Sequence, residues 1–136
     1  MGLTRADCMR LNIPWPDDLK EVKPSKYRNV PTEYGGVRYA SKSEAKRAMA
    51  LDLLVRRGEV LWWIGQPTFR LGCSLNIYKP DFLVVLASGD VHVEDVKGTR
   101  TAKFKRDVRL WKQYGPCALW VISKNDIEIV IGGLAK

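Results

Sequence analysis

Short apolar runs bounded by turn residues fill most of this chain, and in two places their spacing lengthens to that of a helix. Between Lys42 and Arg57, just before Gly58, residues Glu44, Ala48, Leu51 and Val55 recur at intervals of four, three and four, which puts them on one side of a helix. Between Thr101 and Tyr114, Phe104, Val108 and Trp111 form a second apolar stripe, and Gly115-Pro116 stops it. Strands are predicted at Val60–Ile64, Thr68–Leu71, after Asp81, up to Val96, at Cys117–Ile122 and at Ile127–Ile131. Gly35-Gly36 predicts a small hairpin between Thr32–Tyr34 and Val37–Tyr39, and Cys73 to Tyr78 reads as a loop. Trp62 and Trp63 are expected to pack in the core or on the sheet rather than to stack on bases. Residues 1–25, broken by Pro14, Pro16 and Pro24, read as an extension with at most a short helix near Thr4 to Leu11, ahead of one domain over 26–136.

The stretch from Pro80 to Gly98 carries the chemistry. Side chains alternate between the faces of a strand, so Asp81 shares a face with Leu83 and Val85, while Val93, Asp95 and Lys97 share a face further on. Ser88-Gly89-Asp90 is turn chemistry, and an antiparallel hairpin about it brings Asp81 beside Asp95 and Lys97. Two carboxylates and an ammonium then cluster at one end of an apolar hairpin. Hard oxygen ligands of this kind hold Mg²⁺ or Mn²⁺, which lowers the pKa of a bound water and neutralises charge on phosphorus. A nearby lysine can orient the attacking water. The plain reading is that Asp81 caps a turn and Asp95 pairs with Lys97 on the surface; it leaves unexplained why charges end strands otherwise built of Val and Leu. Glu94 and His92 fall on the opposite face, so Asp95 is the expected acid, and a bulge would exchange it for Glu94.

Charge sharpens this picture. The formal net charge is +8, from 23 Lys and Arg against 15 Asp and Glu, which favours an anionic partner. Six basic residues, Arg100, Lys103, Lys105, Arg106, Arg109 and Lys112, lie between Gly98 and Gly115 with Asp107 as the one acid. That segment leaves directly from the acid-bearing strand, so its basic side is suited to phosphates. A solubility face is the alternative. The single His92 excludes multi-histidine metal sites, and Cys8, Cys73 and Cys117 lack the spacing of a zinc knuckle or a disulfide framework. No run is long and apolar enough for a membrane span and no signal-peptide pattern opens the chain. A cytoplasmic protein of a bacterial cell or phage-infected host is expected.

Pro80-Asp81 followed by Asp95-Val96-Lys97 resembles the PD-(D/E)xK signature of restriction-endonuclease-like nucleases, a superfamily that includes Holliday junction resolvases. Lys26-Tyr27, the run from Tyr39 to Ala45, Gln66-Pro67-Thr68-Phe69-Arg70-Leu71 and Glu94 to Gly98 follow in the order of a largely phage-encoded branch, over about residues 26 to 122. The resemblance implies an α/β fold with a restriction-endonuclease-like core, a central mixed β-sheet flanked by helices. It implies Asp81, Asp95, the Val96 carbonyl and Glu44 as metal ligands, Lys97 as the residue that positions water, and Gln66 near the site. Glu44 equally completes a capping box with Ser41, and Gln66 equally bonds the backbone ahead of Pro67. Branched or otherwise structured DNA as substrate, and a homodimer, are implied by the resolvases alone. The expected function is a divalent-metal-dependent DNA endonuclease. A non-catalytic nucleic-acid-binding module on the same fold is the alternative, and a phage assembly protein a third.

Overall fold

The computed structural model describes residues 30–73 and 75–135. The short helix expected near Thr4 to Leu11, Trp15, and Lys26 and Arg28 of the first predicted turn region lie outside these residues. The chain forms two compact units that divide between Leu53 and Leu54, inside a helix.

The first unit holds the small hairpin, β1 (Thr32–Tyr34) and β2 (Val37–Tyr39), and most of α1 (Lys42–Arg56). Gly35 and Gly36 both take positive φ, 59° and 79°, the pairing that a tight hairpin turn with the twist of its strands demands. Helix α1 starts on Ser41, whose hydroxyl accepts the Glu44 N–H at 3.2 Å. Tyr34 donates to Asp52 Oδ2 at 2.6 Å, fastening the hairpin to the helix. Ala45, Ala48 and Leu51 are the buried residues of α1, whereas Val55, expected on the same stripe, is exposed.

In the second unit, a Schellman turn ends α1: Glu59 N–H bonds Leu54 O and Gly58 N–H bonds Val55 O, with Gly58 at φ 77°. A mixed sheet of five strands follows, in the order β3 (Val60–Gly65), β6 (Phe82–Leu86), β7 (Val91–Val96), β8 (Ala118–Ile122), β9 (Ile127–Val130). All its pairs are antiparallel except β7 with β8. A parallel pair needs a long crossover, and α2 (Ala102–Tyr114) is that crossover. The expected α/β class and mixed sheet are therefore present. Thr101 caps α2 by accepting the Phe104 N–H at 3.1 Å.

One face of the sheet packs against α2. Val93, Leu119, Val121 and Val130 pack with Phe104 and Trp111 of α2 and with Leu71 and Tyr78. The last two come from a short ribbon in which β4 (Phe69–Arg70), within the strand expected at Thr68–Leu71, pairs with β5 (Ile77–Tyr78), which lies in the segment expected to be a loop. Two-residue strands are too short to show a period. A second difference concerns Trp62: it is 48 % exposed on the edge strand β3, while only Trp63 packs as expected, edge-on to Phe82. The ladder shifts register between Val60 and Trp62, and that irregularity interrupts the alternation.

The end of the chain closes tightly on α2. A Cβ added at Gly132 would stand 2.3 Å from the Gly115 carbonyl oxygen and 2.5 Å from that of Cys117. Both are backbone atoms held by their own elements. Gly132→Ala is expected to destabilise the fold by about 1–3 kcal/mol through overpacking, read as a lower urea midpoint. Gly98→Ala, whose Cβ would meet nothing within 4 Å, is expected to stay within about 0.5 kcal/mol of the parent.

Candidate active site

The hairpin of β6 and β7 sets the geometry. Its register pairs Phe82 with Glu94, Leu83 with Val93 and Val84 with His92, and one step further brings Asp81 opposite Asp95. Asp81 is tied down at both ends: its N–H bonds Glu94 O at 3.0 Å, and its Oδ2 accepts the Val96 N–H at 2.7 Å. Its carbonyl accepts the Gln66 N–H at 2.8 Å. Gln66 thus adjoins the site through its backbone, in a left-handed conformation at φ 51° that is uncommon for any residue but glycine.

Asp95 is 1 % exposed, and its two oxygens have different surroundings. Oδ2 accepts the Tyr78 hydroxyl at 2.5 Å. Oδ1 lies 3.0 Å from Lys97 Nζ, yet among the described residues no donor reaches it with hydrogen-bond geometry. The interaction with Lys97 is therefore Coulombic contact without a directed bond. The ammonium also stands 5.0 Å from the centre of the Phe104 ring, a distance at which the ring face attracts a cation. A buried carboxylate is costly unless something compensates it, and here the Lys97 ammonium beside Oδ1 does so.

These groups open on a cavity of about 340 Å³, lined among others by Tyr78, Lys79, Asp95, Lys97, Lys103 and Asp107. Tyr78 and Asp107 were not singled out by sequence. Burial first, and then the Asp95 carboxylate at its hydroxyl, hold the Tyr78 phenol far above the usual tyrosine range. Burial raises the Asp107 carboxyl, against the pull of Lys103 and Arg106. Asp107 had a signal: it sits at helical spacing from Phe104 and Trp111, an acid on the apolar side of α2. Tyr78 had none, because its strand is two residues long.

Glu94 and His92 lie on the other face, as the alternation predicts. Both are buried, with His92 Nε2 2.9 Å from Glu94 Oε1 and the imidazole stacked on Trp120 at 3.9 Å between ring centres. They form a structural pair, and no bulge in β7 exchanges Glu94 for Asp95. Glu44 belongs to the first unit, where its N–H meets the Ser41 hydroxyl and its Oε1 accepts from that hydroxyl at 3.4 Å. The capping reading is thus realised in part, through the side chain of Ser41.

Of the six basic candidates, Lys103 lines the cavity. Lys105, Arg106, Arg109 and Lys112 are exposed on α2, with Arg106 bonded to Asn76 at 2.7 Å. Arg100 pairs with Glu128 across the surface. Among the described residues no three His, Cys, Asp or Glu side chains converge as a ready-made cation site, and no helix is long and apolar enough to cross a membrane. The donor set at Asp81 and Asp95 is two carboxylates beside backbone carbonyls. That chemistry suits a hard divalent cation that keeps much of its water, and Asp95 Oδ1, buried and held only by the Lys97 ammonium without a directed hydrogen bond, is an oxygen of the kind such a cation takes.

No curated protein and no solved structure matches this chain. A family profile described as "Protein of unknown function (DUF1064)" matches residues 24–125, a span that takes in the hairpin, the cavity and α2. The chain is therefore a member of the DUF1064 family.

Proposed function

We propose that this protein is a divalent-metal-dependent endodeoxyribonuclease with a restriction-endonuclease-like core. The observation that carries the reading is the convergence of Asp81, Asp95 and Lys97 at one end of the β6–β7 hairpin, where a buried Asp95 oxygen is ion-paired with Lys97 without a directed hydrogen bond and both residues line a cavity. Asp81 and Asp95 would hold Mg²⁺ or Mn²⁺ together with the Val96 carbonyl, and Glu44 is the further carboxylate that the PD-(D/E)xK resemblance implies. The bound metal supplies an acidified water and neutralises charge on the phosphoryl group.

The chain's own residues do the rest. Lys97 orients the attacking water by donating from Nζ, and its charge offsets that building on the phosphoryl oxygens. Asp81, fixed by the Val96 N–H, cannot swing away from Asp95 without losing that bond. Lys103 inside the cavity and Lys105, Arg109 and Lys112 outside it hold flanking phosphates, while Arg100 and Arg106 would first have to leave Glu128 and Asn76. In-line attack leaves a 5′-phosphate and a 3′-hydroxyl, as in the superfamily. Branched DNA as substrate and action as a homodimer, in the cytoplasm of a bacterial or phage-infected cell, follow from the resemblance to resolvases.

The exposed basic side of α2 also fits a second reading, a nucleic-acid-binding module without catalysis. Cleavage of labelled linear, single-stranded, flapped and four-way-junction DNA with Mg²⁺ or Mn²⁺ separates the two. The nuclease reading expects metal-dependent cutting that chelation and Asp81→Ala both abolish. Salt-sensitive binding, falling with a slope of about −0.9 per neutralised phosphate on duplex DNA, without cutting of any substrate by the parent protein, would leave the binding module standing.

A further inference from the structure

The two oxygens of Asp95 differ in a way that the proposed chemistry does not by itself require. Tyr78 is 4 % exposed and donates its hydroxyl to Oδ2 at 2.5 Å, so that oxygen is already engaged. Oδ1 is equally buried, accepts no directed hydrogen bond and is met by the Lys97 ammonium at 3.0 Å, a contact that a cation at this oxygen would replace, and both residues line the cavity. The phenol is itself held in place. Its ring stands edge-on to Trp111, 5.8 Å between centres at 77°, and β5 pairs with β4 through Arg70–Ile77 and Phe69–Tyr78. Phe69 in turn packs edge-on against the same indole at 5.0 Å. The hydroxyl therefore cannot follow the carboxylate if the carboxylate rotates.

From this geometry we infer that Tyr78 is a positioning residue: it locks Asp95 so that Oδ1 alone is presented to a divalent cation, as a one-oxygen ligand of fixed direction. The inference rests on the metal-site reading above and names a residue outside the acid-and-lysine set on which that reading stands. Outer-shell groups that orient a metal-binding side chain typically account for about 10–100-fold in metal affinity. Packing alone would not do so, because phenylalanine preserves the ring and its contacts with Trp111.

Tyr78→Phe is the test, on the full chain, with Mn²⁺ itself as the probe. Calorimetric titration of the parent protein with Mn²⁺ is expected to show binding, and Tyr78→Phe to weaken it at least about ten-fold with an unchanged far-UV spectrum. Unchanged affinity in a folded Tyr78→Phe overturns the positioning role while leaving the nuclease reading intact. Absence of Mn²⁺ binding by the parent protein overturns both. Should the variant not fold, the parent carries the test by NMR. Mg²⁺ is expected to shift the Tyr78 ring resonances with the midpoint seen for Asp95, because a cation on Oδ1 draws charge from the oxygen that Tyr78 bonds. Tyr78 resonances that stay still while Asp95 responds would overturn the inference.

Discussion

Asp95→Asn is expected to remove divalent-cation binding and to lower DNA cleavage by on the order of 10²–10³-fold or more, with little change in the fold. Asparagine has almost the same shape, and its oxygen can still accept the Tyr78 hydroxyl that now reaches Oδ2 at 2.5 Å. What disappears is the negative charge on a side chain 1 % exposed, and with it the anionic ligand that a hard cation needs. Lys97→Met is expected to behave in the opposite way. Cleavage falls, because no ammonium remains beside the phosphoryl group, but cation binding survives and tightens, since Nζ no longer stands 3.0 Å from Oδ1. Without metal, that variant leaves a buried carboxylate uncompensated and should melt lower; adding Mn²⁺ should then stabilise it more than it stabilises the parent. Mn²⁺ calorimetry, thermal melts and a cleavage assay on the three proteins read all of this. Full cleavage by Asp95→Asn would sink the proposed site.

Trp111→Ala is expected to have the largest effect on stability, about 3–5 kcal/mol. Trp111 is fully buried at the centre of the one core that α2 makes with the sheet. It packs edge-on against both Phe69 and Tyr78, and its Nε1–H bonds the Cys117 carbonyl at 2.7 Å. Truncation removes the indole volume, leaves that carbonyl without its donor, and takes away the surface on which the β4–β5 ribbon rests. Against a typical total of about 5–15 kcal/mol, the loss brings the fold near its limit. Urea unfolding should show a much lower midpoint, and a midpoint shift under about 1 kcal/mol would mean that the core does not centre on this residue. Because Tyr78 leans on Trp111, any folded fraction of the variant should also bind Mn²⁺ more weakly.

Two kinds of information are separable here. Local pattern was enough for the elements with a sustained period or a firm stop: α2 with its Phe104–Val108–Trp111 stripe and the Gly115-Pro116 stop, the Gly35-Gly36 hairpin, and β6 and β7 about Ser88-Gly89-Asp90. The pairing of Asp81 with Asp95 was legible for the same reason, since a tight turn and a two-residue period leave one register. Pattern failed where an element is too short or too irregular to repeat. β5, the partner of the expected strand β4, is two residues long, and the shift near Val60 turned Trp62 outward.

The sequence by itself determined which residues carry charge, which strand ends they occupy and which faces they share, because those follow from covalent order and the periods of helix and strand. Only the tertiary structure decided that Asp95 is nearly sealed from solvent, that Tyr78 occupies one of its oxygens and leaves the other to Lys97 without a directed hydrogen bond, and that Asp107 and Lys103 line the same cavity. These are contacts between segments that are 17 residues apart for Tyr78 and Asp95 or lie on different elements. No local periodicity encodes them, since burial and hydrogen-bond partners are set by how the sheet, the ribbon and α2 close on one another.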